Sequence, residues 1–277
     1  MSVSASVKPN LIVRIAAWCV VVFLMAPIPI IILVSFSSAQ YLTFPPPGFS
    51  LQWYERFLGS NEWAQSIWVS LQVAVFSAIL TMVLATMAAI PMVRANFSRK
   101  SIVYAVLLAP MIIPVIITAI ALYFVFAQMG LNGTVLAITI GHTIVVLPIA
   151  FVVLSSTLQG LDPRLEKAAI SLGASPLAAF YHITLPLLMP GILSAGLFSF
   201  LTSFDELIIP LFLGGPATQT LAVRIWNSVV MEIEPTISAV SVFLIAMTIV
   251  VMVLASLLKR AFRWSGSGRS QQETPHA

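Results

Sequence analysis

Leu161-Asp162-Pro163-Arg164-Leu165-Glu166-Lys167-Ala168-Ala169-Ile170-Ser171-Leu172-Gly173-Ala174-Ser175-Pro176 lies between two long apolar runs and carries its own punctuation. Asp162 before Pro163 is an N-cap followed by a proline at the first helical position, where a missing N–H costs nothing. Gly173 supplies a stop. Ser175-Pro176 repeats the start signal and opens a second short helix through about His182, before Leu185-Pro186 leads into the next apolar run. The stretch therefore reads as helix, glycine turn, helix, the first about ten residues or roughly 15 Å long. Leu165, Ala168, Ala169 and Leu172 share one face at i, i+3, i+4, i+7 spacing. A helix so short is marginal alone in water, so this face is expected to pack either on the protein's own span ends or in a groove on a partner.

Outward from this segment the chain is apolar: 60% of its 277 residues are hydrophobic and 8% charged, against roughly 25% charged in a soluble domain. Runs near 20 residues cross a hydrocarbon core of about 30 Å as helices. Six are read, at roughly 11 to 35, 66 to 92, 102 to 127, 133 to 158, 187 to 213 and 236 to 258. The first follows Lys8 and Arg14 as a signal peptide would, but it is long and holds Pro27 and Pro29, which favours an uncleaved span. Prolines 110, 114, 148, 190 and 210 lie in or near spans, where they kink helices or are simply tolerated. Cys19 is the single cysteine, so neither a disulfide framework nor a cysteine metal motif is available.

Placing the N-terminus inside puts Lys8, Arg14, Arg94, Arg99, Lys100, Arg164, Lys167, Lys259, Arg260, Arg263 and Arg269 on one side and leaves Arg56 and Arg224 on the other. This bias makes the segment 161–176 cytoplasmic and both termini cytoplasmic. The net charge of +4 is thus a topology signal, and no cluster resembles a nucleic-acid patch. Outside, Phe44-Pro45-Pro46-Pro47-Gly48 cannot be helical, and Leu51 to Leu58 mixes aromatics and charges at helical spacing, as an interfacial helix or a partner-binding surface would. The whole of 1–277 reads as one transmembrane domain with a core at about 66–258, a loop at about 160–186 and a disordered tail at about 265–277.

Ala168-Ala169, Gly173, then nine residues, then Ile183-Thr184-Leu185-Pro186 resembles the EAA loop of permease subunits in bacterial binding-protein-dependent ABC importers. The resemblance covers roughly Leu11 to Lys259. It implies an all-α, six-helix, type I importer permease fold in the bacterial inner membrane. It also implies a homologous sister permease, two ATPase subunits that carry ATP and magnesium, and a periplasmic solute-binding protein. In that family the loop docks into a cleft of the ATPase, which gives Glu166, Lys167, Ala168, Ala169, Gly173, Ile183, Leu185 and Pro186 as coupling residues. One departure stands out: the family's glutamate, six residues before the glycine, is Lys167 here, with Glu166 one residue earlier. That offset rotates a helical side chain by about 100°.

Asp205 and Glu206 are the only charged residues well inside a predicted span, and an acid at mid-bilayer costs about 2.5 to 3.5 kcal/mol. Ser199, Thr202 or Ser203, and Glu206 follow one helical face. Without a basic residue deep in a span, the pair is read either as part of a substrate pathway for a cation or as a protonated or hydrated pair at a helix interface. Ser203-Phe204-Asp205-Glu206-Leu207 through Phe212-Leu213-Gly214-Gly215-Pro216, with Thr220 to Trp226 and Glu234-Pro235-Thr236, is similar to the spermidine/putrescine permease subfamily, PotC-like. That implies a small amine solute, a polyamine first, with gamma-aminobutyrate or an opine as alternatives. His142 is a candidate hydrogen-bonding group or a structural histidine.

No GxxxxGK[ST], HExxH or GxSxG sequence occurs, so no catalytic, nucleotide or metal site is expected in this chain. The rival class is a proton-coupled secondary transporter using Asp205 or Glu206.

Overall fold

The computed structural model describes residues 11–231 and 234–267; Lys8, Arg269 and residues 268–277 of the expected tail lie outside them. Residues 265–267 are helical, continuing the last helix. The helices are α1 (Leu11–Met25), α2 (Pro27–Ser35), α3 (Gln52–Gly59), α4 (Asn61–Arg94), α5 (Lys100–Ile112), α6 (Val115–Gln128), α7 (Val135–Gln159), α8 (Pro163–Ser171), α9 (Pro176–Ala179), α10 (Leu185–Asp205), α11 (Ile208–Leu213), α12 (Leu221–Met231) and α13 (Thr236–Ser267). Among the described residues five spans are long and apolar enough to cross a bilayer, and a sixth is a bent pair.

The bent pair corrects the single span expected at 102–127. Helices α5 and α6 meet at 103°. Pro114 has no N–H to give the ladder and disfavours helical geometry in the residue before it. Ile113 is accordingly extended, with φ −77° and ψ 127°.

The chain forms two compact units, one up to Ser60 together with Asn227–Ala246, the other Asn61–Trp226 with the residues from Met247. In the first, α1 buries no residue, while Trp53 and Phe57 of α3 are core residues. The Trp53 indole N–H donates to the Ser37 carbonyl at 2.8 Å. Tyr54 and Ser35 hydroxyls meet at 2.7 Å, and Arg56 pairs with Glu234 at 2.9 Å. The amphipathic stretch 51 to 58 is therefore a helix whose aromatic face is spent on its own unit.

In the second unit, α4, α7 and α10 pack on one another around Ala85, Ala89, Met92, Ala150, Phe151, Leu154, Leu158, Leu188 and Ala195. Small residues let these backbones approach closely, which is how spans associate where lipid is as apolar as leucine. Gly196 is an instance: a Cβ there would lie 2.4 Å from the Met82 sulfur. A second cluster joins α4, α6, α7 and α11 through Val73, Phe126, Ile138, Ile209 and Leu213. At the end of α4 that bears Glu62, Arg224 of α12 pairs with Glu62 and lies 5.0 Å over the Trp63 ring.

Candidate functional site

The segment 160–186 folds as its punctuation predicts at the start. The Asp162 carboxylate accepts the Arg164 N–H at 2.9 Å and caps α8. At the other end Gly173 takes φ +96°. Its N–H bonds the Ile170 carbonyl at 3.0 Å and the Ala174 N–H bonds the Ala169 carbonyl at 3.1 Å, the paired closure of a Schellman motif. Ser175 then accepts the Ala178 N–H at 3.2 Å and caps α9.

Beyond this point the expectation of a helix ending near His182 is corrected. Helix α9 passes through one π turn, Phe180–Thr184, directly into α10, so Pro176–Asp205 is one helical span of 30 residues. Pro186 gives the cause. It cannot donate to the His182 carbonyl, and its ring crowds that oxygen in a regular α-helix. A wider turn relieves both, with the Leu185 N–H reaching back to Phe180. Ile183, Leu185 and Pro186 thus lie in a continuous helical root of the span.

Most of the apolar face of α8 is left exposed. No α8 residue is buried; Leu165 is 49% exposed and Leu172 90%. Ala168 is exposed and Ala169 half-buried. Glu166 turns inward, its carboxylate accepting the Thr184 hydroxyl at 3.0 Å, whereas Lys167 stands exposed. The one-residue offset noted in the sequence is therefore a change of side: the acid ties α8 to the root of α10, and the lysine occupies the outward position.

At the far end of α10, 21 residues and about 30 Å along its axis, the span stops at the acid pair. This corrects the reading of Asp205 and Glu206 as mid-span residues. Pro210 would deny the Glu206 carbonyl its helical partner and clash with it. The chain therefore breaks, with Glu206 extended at φ −69° and ψ 123°. The Glu206 carboxylate then accepts the N–H groups of Ile208 at 2.8 Å and Ile209 at 3.2 Å. Helix α11 restarts on that cap, and Glu206 has backbone partners inside the chain after all. Asp205 is exposed, and no hydrogen bond or ion pair to it is found among the described residues.

The expected polar stripe splits in two. Thr202, Asp205 and Glu206 line a cavity of about 360 Å³ with Leu201. Ser199 and Ser203 face the helix core, where the Ser203 hydroxyl lies 2.7 Å from His142 Nδ1. His142 is buried, and its Nε2 and the Ser199 hydroxyl have no hydrogen-bond partner among the described residues. The role of His142 as a Ser203 partner was within reach of the sequence only as one of two options. The capping role of Glu206 was signalled by Pro210, four residues on. Among the described residues no three His, Cys, Asp or Glu side chains are grouped to hold a metal.

Five or six candidate spans, an amphipathic helix left largely exposed at the end of one of them and a polar break at that span's other end define a multi-pass membrane protein. The chain belongs to the family of binding-protein-dependent transport system inner membrane components, whose model matches residues 81–264. It is 33% identical over 266 residues to the putrescine transport system permease protein PotI of Escherichia coli strain K12, covering 91% of this chain and 94% of that one. It is 32% identical over 247 residues to the spermidine/putrescine transport system permease protein PotC of Haemophilus influenzae, covering 88% and 95%. Its fold is similar to that of a chain in the crystal structure of a bacterial ABC transporter involved in the import of the acidic polysaccharide alginate. There the TM-score is 0.71 at 15% identity, over 88% of this chain and 94% of that chain.

Proposed function

We propose that this chain is the permease subunit of an ATP-driven ABC importer for a small amine solute, a polyamine such as putrescine or spermidine first. The observation that carries the reading is the largely exposed face of α8 beside a helical root that runs without a break to the acid pair. Leu165 and Leu172 seat in a groove of an ATPase subunit. Glu166, through Thr184, passes the displacement to α10, which moves Asp205 and the cavity at its far end. Two ATPase subunits bind ATP and magnesium, a homologous permease completes the pathway, and an external solute-binding protein delivers the solute. The loop and both termini then lie on the cytoplasmic side, the orientation that the bias of basic residues favours.

A cationic solute gives Asp205 the counter-charge it lacks among the described residues, with Thr202 beside it in the same cavity. Family membership and the relatives named for putrescine and spermidine transport support this class of solute. Gamma-aminobutyrate and opines carry a comparable cationic group and are the competing solutes. The test is uptake by proteoliposomes holding this chain with its sister permease, ATPase and binding protein. ATP-dependent uptake that survives a protonophore and is lost on deleting residues 163–182 supports the reading. Uptake that persists without ATP and collapses with the proton gradient makes the chain a secondary transporter instead.

A further inference from the structure

A second cavity, of about 450 Å³, opens where the ends of three helices converge, and neither the coupling loop nor the acid pair uses it. Met92 and Val93 of α4, Lys100, Ser101 and Tyr104 of α5, and Gln159 of α7 line it. Lys100 is the cation in its lining, and Arg94 and Arg99 are chain neighbours of Val93 and Lys100. No acidic side chain lines it. The Lys100 ammonium uses one donor on the Ala95 carbonyl at 3.1 Å, and the other two of its three donors have no partner among the described residues. Ser101 and Gln159 add a hydroxyl and a carboxamide. Helix α5 begins here with no acid in its first turn and no side-chain cap, so its positive end is uncompensated. The inner wall, by contrast, is apolar: the Tyr104 ring is held edge-on against Phe151 at 5.6 Å, beside Met92 and Val93.

We infer that this cavity binds the phosphate head group of an anionic phospholipid, with the first part of an acyl chain lying along Tyr104, Met92 and Val93. Donors and positive charge at the mouth suit a phosphodiester. The apolar wall distinguishes a lipid from a free anion, and basic pockets between span ends are where anionic head groups are held. Gln159 is the last residue of α7, immediately before the coupling loop, so a lipid seated here braces the segment from which α8 departs.

Native mass spectrometry of the full chain, equilibrated with phosphatidylglycerol, phosphatidylcholine or inorganic phosphate, tests this. Wild type is expected to retain phosphatidylglycerol over phosphatidylcholine, and millimolar phosphate is expected not to displace it. Lys100→Gln should weaken retention about five-fold, the worth of one charge near a lipid surface, and Lys100→Arg should restore it. Thermal melts of both variants in detergent establish that the spans remain folded. Equal retention by Lys100→Gln and wild type, equal binding of phosphatidylcholine, or displacement by phosphate overturns the proposal. So does loss of the lipid when an ATPase subunit is added, which would make the cavity a protein contact.

Discussion

Gly173→Ala isolates the loop from the spans. A Cβ at Gly173 meets no atom within 4 Å, and φ there is +96°, so the whole penalty is backbone conformation. For an alanine forced into left-handed geometry that is about 1–2 kcal/mol, a factor of roughly 5–30 in the equilibrium ratio of native to non-native turn. Nothing else in the loop compensates, because α8 buries none of its residues and is held by the turn, its cap and the Glu166 bond to Thr184. ATP-driven putrescine uptake, measured in proteoliposomes and normalised to assembled complex, is expected to fall, by at most that factor. The thermal midpoint of the detergent-solubilised chain should stay within a degree or two of wild type. Gly173→Asn should lose less, since asparagine tolerates left-handed geometry better than alanine. Normal uptake by Gly173→Ala, or a global loss of stability, would refute the reasoning. The first would mean that the turn is not needed for coupling, the second that it supports the spans.

Leu172→Asp changes a side chain that is 90% exposed, so the isolated chain should keep its stability within about 0.5 kcal/mol; co-purification of the ATPase subunit should be lost. At the acid pair, Asp205→Asn should slow uptake of a cationic solute while assembly and basal ATP hydrolysis persist. Glu206→Ala should instead destabilise the chain by about 0.5–2 kcal/mol, read by thermal melts, through loss of the α11 cap; Glu206→Gln retains the acceptor oxygen and most of that stability. Ser203→Ala leaves buried His142 Nδ1 without its partner and should cost about 1–3 kcal/mol in the same melts.

Much of the architecture was legible because local chemistry and membrane physics agree. Asp162-Pro163, Gly173 and Ser175-Pro176 each did locally what their residue types allow, and length with apolarity located the spans. The prolines in or near spans were marked as kink positions, but which of them break the helix, and with what consequence, was not legible. Pro114 splits a run that is uniformly apolar, so hydropathy cannot detect the 103° bend. Pro186 acts through the His182 carbonyl and turns an expected loop boundary into a continuous helix. Pro210 places a break at Glu206, converting an apparently orphaned acid into a cap. The inward turn of Glu166 was also hidden, since its partner Thr184 lies 18 residues away across a glycine turn. The sequence could mark an offset from the family pattern but not the bond that it makes.

The central claim is that ATP hydrolysis reaches the acid pair through α8 and α10. Its most direct test is the rate of ATP-driven putrescine uptake in proteoliposomes containing the complete complex, comparing wild type with the double variant Leu165→Asp/Leu172→Asp in the presence of a protonophore. The account predicts protonophore-resistant uptake in wild type and none above background in the double variant. Equal uptake by the two would contradict it.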